Sequence, residues 1–208
     1  MVFMRLLPLV ILLHFVASAE LGAAVVKGKV MFLTGSGPAP GVNETVVRLE
    51  AAGRMPRRPG ATFTMTVRGG KLDPHVLLVP AGSTVAFPNH DSTPHDLFSD
   101  ATGNAFALGS YGRGKGESAT FTAPGIVNVS CRIHPDESGV VHVLDTPYYG
   151  FADAYGNFAF DVPPGIYTVT GWNERAGTIS SEIELAEDGT VTGATLLTID
   201  ARKLQAGQ

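Results

Sequence analysis

Short apolar runs separated by glycine and proline turns are the feature that most constrains the fold of this chain. The 208 residues include 25 glycines and 14 prolines. After the N-terminal apolar segment, no fifteen-residue window repeats its apolar residues every 3.6 positions or so, as an amphipathic helix does. β-Branched and aromatic residues instead recur in short runs, such as Ile166 to Thr170 directly after Pro163-Pro164-Gly165. This pattern predicts an all-β chain.

The first residues form a segment of a different kind. Arg5 supplies one positive charge, and an apolar run from Leu6 to Ala17 leads into Ala17-Ser18-Ala19. These features are typical of a secretory signal peptide over residues 1–19, with cleavage after Ala19. The apolar run is shorter than the about 20 residues that a membrane-spanning helix needs. We therefore expect a periplasmic or secreted protein with no membrane span in its mature form.

Charge and cysteine content exclude two further classes. The formal net charge is −4, so the chain has no basic footprint and nucleic-acid binding is not expected. The chain contains one cysteine, which excludes an internal disulfide framework. A lone buried thiol acting as a small hydrophobe is one explanation of this cysteine. Its neighbours favour a ligand instead.

Three metal-binding residue types follow one another at three-residue steps in Cys131-Arg-Ile-His134-Pro-Asp-Glu137. His95 lies upstream in a second polar loop, Asn89 to Asp96, between two apolar runs. One histidine from a distant loop, with cysteine and histidine from one short loop, is the pattern of a trigonal copper site. The four groups are also an acceptable tetrahedral zinc set. The sequence thus predicts one mononuclear site, with copper as the expected metal and zinc as the alternative.

The region around these residues has the proportions of a Greek-key sandwich. Between residues 61 and 145, seven or eight short strands alternate with turns such as Pro80-Ala-Gly82 and Pro124-Gly125. The last predicted strand before the motif leads directly into Cys131, and another begins at Val140. The metal-binding residues are therefore expected in loops at one end of the sandwich.

With these residues in view, positions 61–145 resemble a cupredoxin, the plastocyanin-like blue-copper family. Within that family the chain is most similar to exported proteins called methylamine utilisation proteins. The motifs that carry the resemblance are Leu72-Asp-Pro-His-Val76, Val79-Pro-Ala-Gly-Ser-Thr-Val-Ala-Phe-Pro-Asn89, His95, Phe121-Thr-Ala-Pro-Gly125 and Cys131-x-x-His134. The resemblance implies copper bound by His95, Cys131 and His134, with single-electron transfer as the function.

The flanks resemble a second family, the carboxypeptidase regulatory-like or transthyretin-like β-sandwich. The matching segments are Gly28-Lys-Val30, Val46-Val-Arg-Leu49, Asp153-x-x-Gly-x-Phe158 and Val162-Pro-Pro-Gly-x-Tyr167. We expect residues 25–52 to supply the first strands of this smaller sandwich and residues 146–200 the later ones. The cupredoxin at 61–145 would then be inserted into one of its loops, which closely spaced domain termini allow. Two tandem domains are the alternative.

Glu137 departs from the cupredoxin pattern, in which methionine is the weak axial ligand at this position. No methionine follows Met65, so no nearby thioether replaces it. A carboxylate ligand would favour Cu(II) and lower the reduction potential, whereas a solvent-facing Glu137 would leave the metal without that donor. Asn89 and Asp96 flank the first ligand loop and are expected to support the ligands by hydrogen bonds.

The sequence therefore predicts an electron carrier with a protein redox partner, and no enzyme activity. A trinuclear copper centre needs paired histidines, and the chain has no His-x-His. A cysteine nucleophile is also disfavoured, because ligand spacing explains His134 better than a role as base. The alternatives are a copper or zinc protein for binding and delivery without redox turnover, and an interaction module with a vestigial site.

Overall fold

The computed structural model describes residues 24–34, 37–39, 44–53, 58, 60–193 and 196–200. The predicted signal peptide at 1–19 and part of the stretch between Gly53 and Gly60 lie outside the described residues. Within the described ranges the chain forms strands and turns without a helix, which confirms the all-β prediction. It follows that no helix of this part of the chain is long and apolar enough to cross a membrane.

The strands of the described residues are numbered in chain order. They are β1 (Ala24–Thr34), β2 (Gly37–Ala39), β3 (Val46–Ala51), β4 (Thr62–Thr64), β5 (Thr66–Val67), β6 (Leu72–Asp73), β7 (Val76–Pro80), β8 (Ser83–Asn89), β9 (Leu97–Ser99), β10 (Phe106–Ala107), β11 (Gly114–Phe121), β12 (Gly125–Cys131), β13 (Ser138–Leu144), β14 (Tyr148–Phe151), β15 (Asn157–Val162), β16 (Gly165–Asn173), β17 (Gly177–Leu185), β18 (Val191–Gly193) and β19 (Leu196–Asp200).

Strands from the two ends of the chain pair with each other in what we call the flanking sandwich, β1–β3 with β14–β19. One sheet has the order β15-β1-β19 with β2 beside β1, and the other has the order β14-β3-β16-β17-β18. β1 lies antiparallel to β15 and parallel to β19, and β3 lies between β14 and β16. These pairings support the predicted insertion of the middle segment, whose exact boundaries at 61–145 stay a prediction.

The middle segment, β4–β13, forms a second sandwich that we call the central unit. Its sheets have the orders β10-β9-β12-β13-β7 and β11-β8-β5-β6, with β4 also paired to β8. From β7 to β9, and again from β10 to β12, the chain crosses to the other sheet and back, as in a Greek-key sandwich. The core between the sheets includes Phe87, Phe121 and Leu97, all fully buried.

Alternation along β8 explains how the core leads to the polar end of the central unit. Ser83, Val85, Phe87 and Asn89 are buried on one face, and the residues between them are half-buried. On the neighbouring strand β11, the register shifts between Gly114 and Glu117. Gly116 in this bulge has φ +68°, and a Cβ there would overlap the backbone carbonyl of Phe87. Glycine is therefore required for the close approach of β11 to β8.

β13 is buried along both faces, because each of the two sandwiches covers one of them. Val141 and Val143 point into the core of the central unit. Val140, on the other face, packs in a cluster with Val76, Val46 and Trp172, the last two from the flanking sandwich. The continuous apolar run of β13 is typical of a strand that is covered on both sides.

One segment of the flanking sandwich departs from its sequence pattern. The sequence pattern predicts a single strand from Val191 to Ile199, which would complete a hairpin with Ile183 to Leu185. In the structure, β18 pairs with β17 as expected, whereas β19 moves to the other sheet and lies parallel to β1. Gly193, at φ +97°, marks the end of β18. Local alternation cannot show this change of sheet, because both strands have the same period.

Candidate metal centre

The first ligand loop is held by the amide side chain of Asn89. Its Nδ2 donates to the Thr93 carbonyl at 2.9 Å, and its Oδ1 accepts from the Asp91 amide at 2.8 Å. Asn89 is fully buried at the end of β8, so these bonds fix the loop to the rigid strand. The prediction placed Asn89 beside the ligands, and in the structure it shapes the loop that carries His95.

His95 itself is fixed by its backbone. Its amide donates to the Tyr111 carbonyl at 3.0 Å, and its carbonyl accepts from the Tyr111 amide at 2.9 Å. The side chain of His95 is fully buried. The loop after β10 thus closes over the ligand loop and leaves the imidazole little freedom to rotate.

The second loop turns tightly between β12 and β13. The Glu137 amide donates to the His134 carbonyl at 3.0 Å, and the Cys131 amide donates to the Glu137 carbonyl at 3.2 Å. These two bonds close the loop from Cys131 to Glu137, so that its three predicted ligands face inward together.

Asp96 ties the two loops to each other. Its backbone amide lies 3.5 Å from Cys131 Sγ, as a donor to the sulfur. Its carbonyl accepts from the Arg132 amide at 2.9 Å, and its carboxylate accepts from Arg132 Nη1 at 3.0 Å. Asp96 therefore connects the loop that carries His95 to the loop that carries Cys131.

The four predicted ligands converge. One donor atom each from His95, Cys131, His134 and Glu137 lies within 4.8 Å of all the others. The two imidazoles face each other through Nδ1, at 3.2 Å. Cys131 Sγ lies 3.7 Å from His134 Nδ1. Glu137 Oε2 lies 2.7 Å from His95 Nδ1 and 3.1 Å from His134 Nδ1.

These separations fit a set of donors around one small cation. Metal–nitrogen bonds of about 2.0 Å and metal–sulfur bonds of about 2.3 Å, at tetrahedral to trigonal angles, separate two nitrogens by about 3.3–3.6 Å. The same bonds separate nitrogen from sulfur by about 3.6–3.8 Å. The observed 3.2 Å between the two Nδ1 atoms and 3.7 Å between Sγ and Nδ1 are close to these values. The 2.7 Å from His95 Nδ1 to Glu137 Oε2 is shorter and has the length of a charge-assisted hydrogen bond.

Burial makes the carboxylate of Glu137 the most demanding group of the cluster. Its side chain is 1% exposed, and its Oε1 has no hydrogen-bond partner within the described part of the chain. An ionised carboxylate in such a place is costly unless it is paired or coordinates a metal. The buried, incompletely paired oxygen is therefore an independent sign that the cluster holds a cation.

The side chain of His134 is 36% exposed, in contrast to the buried His95 and Glu137. Beside it, Ile133 is 45% exposed. The cluster thus reaches the protein surface through one imidazole edge and an apolar neighbour.

Two residues near the cluster were not predicted from the sequence. Asp91 Oδ2 lies 3.4 Å from His95 Nε2, an ion-pair distance without hydrogen-bond alignment. Backbone amides of Gly70 and Gly69 donate to the Asp91 carboxylate at 2.9 and 2.6 Å, and they are the main reason that its pKa is lowered. The only feature of the sequence that points to Asp91 is its position four residues before His95.

Tyr111 is the second such residue. Its hydroxyl is buried without a hydrogen-bond partner among the described residues. Burial raises the pKa of the Tyr111 phenol, and the negative charges of Glu137 and Cys131 raise it further. Its isolated position in a glycine-rich loop gave the sequence no periodicity from which to predict this contact.

The other described histidines lie outside the cluster. His90 contacts Arg68, with His90 Nδ1 and Arg68 Nη2 2.7 Å apart. His75 and His142 lie at the border with the flanking sandwich, where they contact Glu174 and Arg48. The structure therefore agrees with the sequence in keeping these three apart from the ligand set.

Comparisons with known proteins give the following result. No family model and no curated protein matches the chain. Solved structures that match include an oxidised amicyanin variant, 22% identical over 47% of this chain and 99% of that one, with a TM-score of 0.37. A purple cupredoxin from Nitrosopumilus maritimus is 28% identical over 40% of this chain and 99% of its own, with a TM-score of 0.35. The chain resembles the cupredoxins.

A third match is a Cu-containing nitrite reductase from Thermus scotoductus. It is 28% identical over 51% of this chain, with a TM-score of 0.37, and this chain spans 25% of its length. Each of these matches covers about half of this chain or less. The resemblance of the flanks to a carboxypeptidase regulatory-like sandwich stays a prediction.

Proposed function

We propose that this protein is a type 1-like mononuclear copper protein that carries single electrons. The observation that carries the proposal is the convergence of His95, Cys131, His134 and Glu137 within 4.8 Å at one end of a β-sandwich. Copper supplies the one-electron change between Cu(I) and Cu(II). A thiolate with two imidazoles suits both oxidation states, so electron transfer requires little rearrangement.

The protein's own residues keep that donor set rigid. The Asp96 amide donates to Cys131 Sγ and helps to hold the sulfur in place. The paired backbone bonds between His95 and Tyr111 hold the first imidazole in place. A rigid set of donors lowers the reorganisation that accompanies each electron transfer.

His134 is the proposed exit for the electron. Its partly exposed ring and the exposed Ile133 form a small apolar surface at the cluster. A redox protein that docks there would come within a short distance of the donor atoms. We accordingly propose a protein partner, a location in the periplasm or outside the cell as residues 1–19 predict, and no catalytic reaction of the chain itself.

Substitution of Cys131 tests the copper assignment. Copper-loaded protein should show a strong visible thiolate-to-Cu(II) absorption and a matching electron paramagnetic resonance spectrum. Cys131→Ala should lose the band completely, whereas Ser130→Ala, the same truncation at the preceding residue, should keep it. A wild-type protein that binds copper without this band would contradict electron transfer through a cysteine-ligated site.

Substitution of Glu137 tests the fourth donor. A carboxylate is a hard, charged oxygen that stabilises Cu(II), so Glu137→Met should raise the reduction potential and shift the spectrum towards that of a blue copper site. Voltammetry and visible spectroscopy of the copper form measure both changes. Asp136→Met, at the exposed neighbouring position, is the matched control and should leave both unchanged. Equal behaviour of the two variants would remove Glu137 from the ligand set.

A non-redox zinc site is the second candidate, and the buried Glu137 carboxylate is the observation that favours it. Cysteine, two histidines and a carboxylate are all ordinary zinc ligands. Metal analysis of the protein purified after growth with both metals separates the two candidates. Zinc in the purified protein, with no visible band after copper addition, would support binding or delivery in place of electron transfer.

A further inference from the structure

The residues directly after Glu137 are held from outside the metal loop by His75. His75 Nδ1 lies 3.2 Å from the Ser138 carbonyl oxygen. The His75 backbone carbonyl accepts from the Val140 amide at 2.7 Å. The side chain and the backbone of one residue therefore fix both ends of the segment from Ser138 to Val140.

Gly139, in the middle of that segment, allows a close approach to the chain before His75. A Cβ at Gly139 would lie 3.0 Å from the Leu72 side chain and 3.1 Å from the His75 carbonyl oxygen. These distances are shorter than ordinary van der Waals contact, so this side has no room for a side chain at position 139. Glycine thus allows the start of β13 to pack directly against Leu72 and His75.

The other ring nitrogen of His75 connects this segment to the flanking sandwich. His75 Nε2 lies 2.6 Å from Glu174 Oε2, in the turn between β16 and β17. Carbonyl and carboxylate oxygens accept hydrogen bonds, so both ring nitrogens must donate for both bonds to form. His75 therefore bridges the Ser138 carbonyl and the Glu174 carboxylate through its two ring nitrogens.

The turn that carries Glu174 is itself fixed. Asn173 Oδ1 accepts from the Arg175 amide at 3.1 Å, across Glu174. Trp172, one residue earlier, is 6% exposed and packs against Val140 and Val76 of the central unit. Glu174 is thus attached to the apolar contact between the two sandwiches.

We propose that the flanking sandwich positions the Glu137 carboxylate in the metal centre through Glu174, His75 and Ser138, which we call the inter-unit link. Ser138 follows Glu137 directly, so a displacement of Ser138 moves the Glu137 backbone and the carboxylate with it. Residues that orient metal ligands change the donor strength of those ligands. Glu174 and His75 are thus positioning residues that set the potential and spectrum of the site from another sandwich.

This inference rests on the proposed function in one respect, because it treats Glu137 as a donor to the metal. The contacts of the inter-unit link do not depend on any metal. A measurement on metal-free protein therefore tests the link itself, and a measurement on copper-loaded protein tests its effect on the site.

The first experiment measures amide hydrogen exchange in metal-free protein. Glu174→Ala should raise the exchange rates from Ser138 to Val140 by up to about fivefold, the range expected for loss of a partly exposed ion pair. Glu184→Ala removes the same carboxylate from an exposed position on β17 and is the matched control. Glu174→Gln keeps a hydrogen-bond acceptor for His75 and should restore part of the protection.

The second experiment measures the electron paramagnetic resonance spectrum and the reduction potential of copper-loaded protein. Glu174→Ala should change both, and Glu184→Ala should change neither. In a Glu137→Ala background, which has no donor at this position, Glu174→Ala should have no further effect, because the link acts through Glu137.

The outcomes separate the inference from the proposed function. Unchanged exchange from Ser138 to Val140 in Glu174→Ala overturns the link, whatever metal the protein binds. Faster exchange with an unchanged copper spectrum overturns its effect on the site. An effect that persists in the Glu137→Ala background overturns the route through Glu137. Absence of the thiolate band in every protein, wild type included, contradicts the proposed function, while the exchange result still decides the link.

Discussion

The central unit and the flanking sandwich are built alike but differ in what they bury. The buried thiol, imidazole and carboxylate groups of the described residues belong to Cys131, His95, His142 and Glu137, and all lie in the central unit. The buried polar residues of the flanking sandwich include Thr45, Thr170 and Asn173, which carry no charge. Both sandwiches have apolar cores of valine, leucine, isoleucine and aromatic residues. Burial of an ionisable group destabilises a fold unless the group is paired. We therefore attribute the buried ionisable groups of the central unit to a function and not to stability.

The two places where the central unit buries such groups also differ from each other. The metal cluster collects four donors at the end of the sandwich, whereas His142 lies alone on the face of β13 that meets the flanking sandwich. His142 packs edge-on against Trp172, with ring centroids 5.3 Å apart, and its Nε2 lies 3.3 Å from Arg48 Nη1. One arrangement suits a cation, and the other suits a neutral imidazole in an interface.

The largest expected effect tests whether the two sandwiches unfold separately. Phe121→Ala removes a fully buried ring from the core of the central unit and should lower its free energy of unfolding by about 3–5 kcal/mol. Leu185→Ala, in the core of the flanking sandwich, is the counterpart with a loss of about 2–5 kcal/mol. Calorimetry should show that each variant shifts mainly its own transition. Equal shifts of a single transition in the two variants would show that the two sandwiches unfold as one cooperative unit.

A smaller effect concerns acid stability through His142. Burial, and to a lesser degree the Arg48 charge, lower the pKa of His142 from 6.5 to about 4. The unfolded chain therefore binds a proton more readily between these values, and stability falls as the pH drops from 6.5 towards 4. At 1.36 kcal/mol per pH unit, the loss is at most about 3 kcal/mol.

His142→Gln should remove this loss, because glutamine stays neutral and keeps an acceptor for Arg48. Thermal unfolding of metal-free protein at pH 7 and pH 4.5 measures the difference. His90→Gln, at an exposed histidine of the same unit, should keep the acid sensitivity of the wild type. A His142→Gln variant that loses as much stability in acid as the wild type would rule out His142 as the cause.

The smallest effect tests the passage from the central unit into the flanking sandwich. The Thr146 hydroxyl donates to the Leu49 carbonyl at 2.5 Å and accepts from the Tyr148 amide at 3.1 Å. Thr146→Val keeps the shape but leaves both backbone groups unpaired, at a cost of about 1–2 kcal/mol. Denaturant unfolding should register this loss in the flanking sandwich. Thr192→Val, at an exposed position of β18, is the control and should change stability little. A similar loss of stability in Thr192→Val would show that the loss in Thr146→Val comes from the change of residue type and not from the two hydrogen bonds.

Much of the fold was predictable because strand patterns are local. Alternation along β8, turn residues such as Pro124-Gly125 and the repeat of short apolar runs gave the all-β class and most strand positions. The apolar run from Ala119 to Phe121 predicts a strand there, whereas β11 begins earlier, at Gly114, because its first residue pairs with Asn89 across the sheet. The move of β19 to the second sheet was likewise hidden, since pairing partners far along the chain do not affect local alternation.

The cluster of candidate ligands was predictable for a similar reason. Cys131, His134 and Glu137 share one loop, and their spacing alone indicates a metal site. The contribution of Asp91 and Tyr111 was not predictable. The Asp91 carboxylate is held near His95 Nε2 by the amides of Gly69 and Gly70, in the turn between β5 and β6. Tyr111 is brought to the cluster by backbone pairing with His95.

The sequence by itself determined the type of structure and the chemistry of the donors. Residue types and their spacing act over a few positions, which suffices for strands, turns and the loop that ends at Glu137. Only the tertiary structure decided how deeply Glu137 is buried, that both faces of β13 are covered, and that Glu174 reaches the metal loop through His75. These features depend on contacts between residues up to about a hundred positions apart, and close packing in three dimensions, rather than local pattern, determines such contacts.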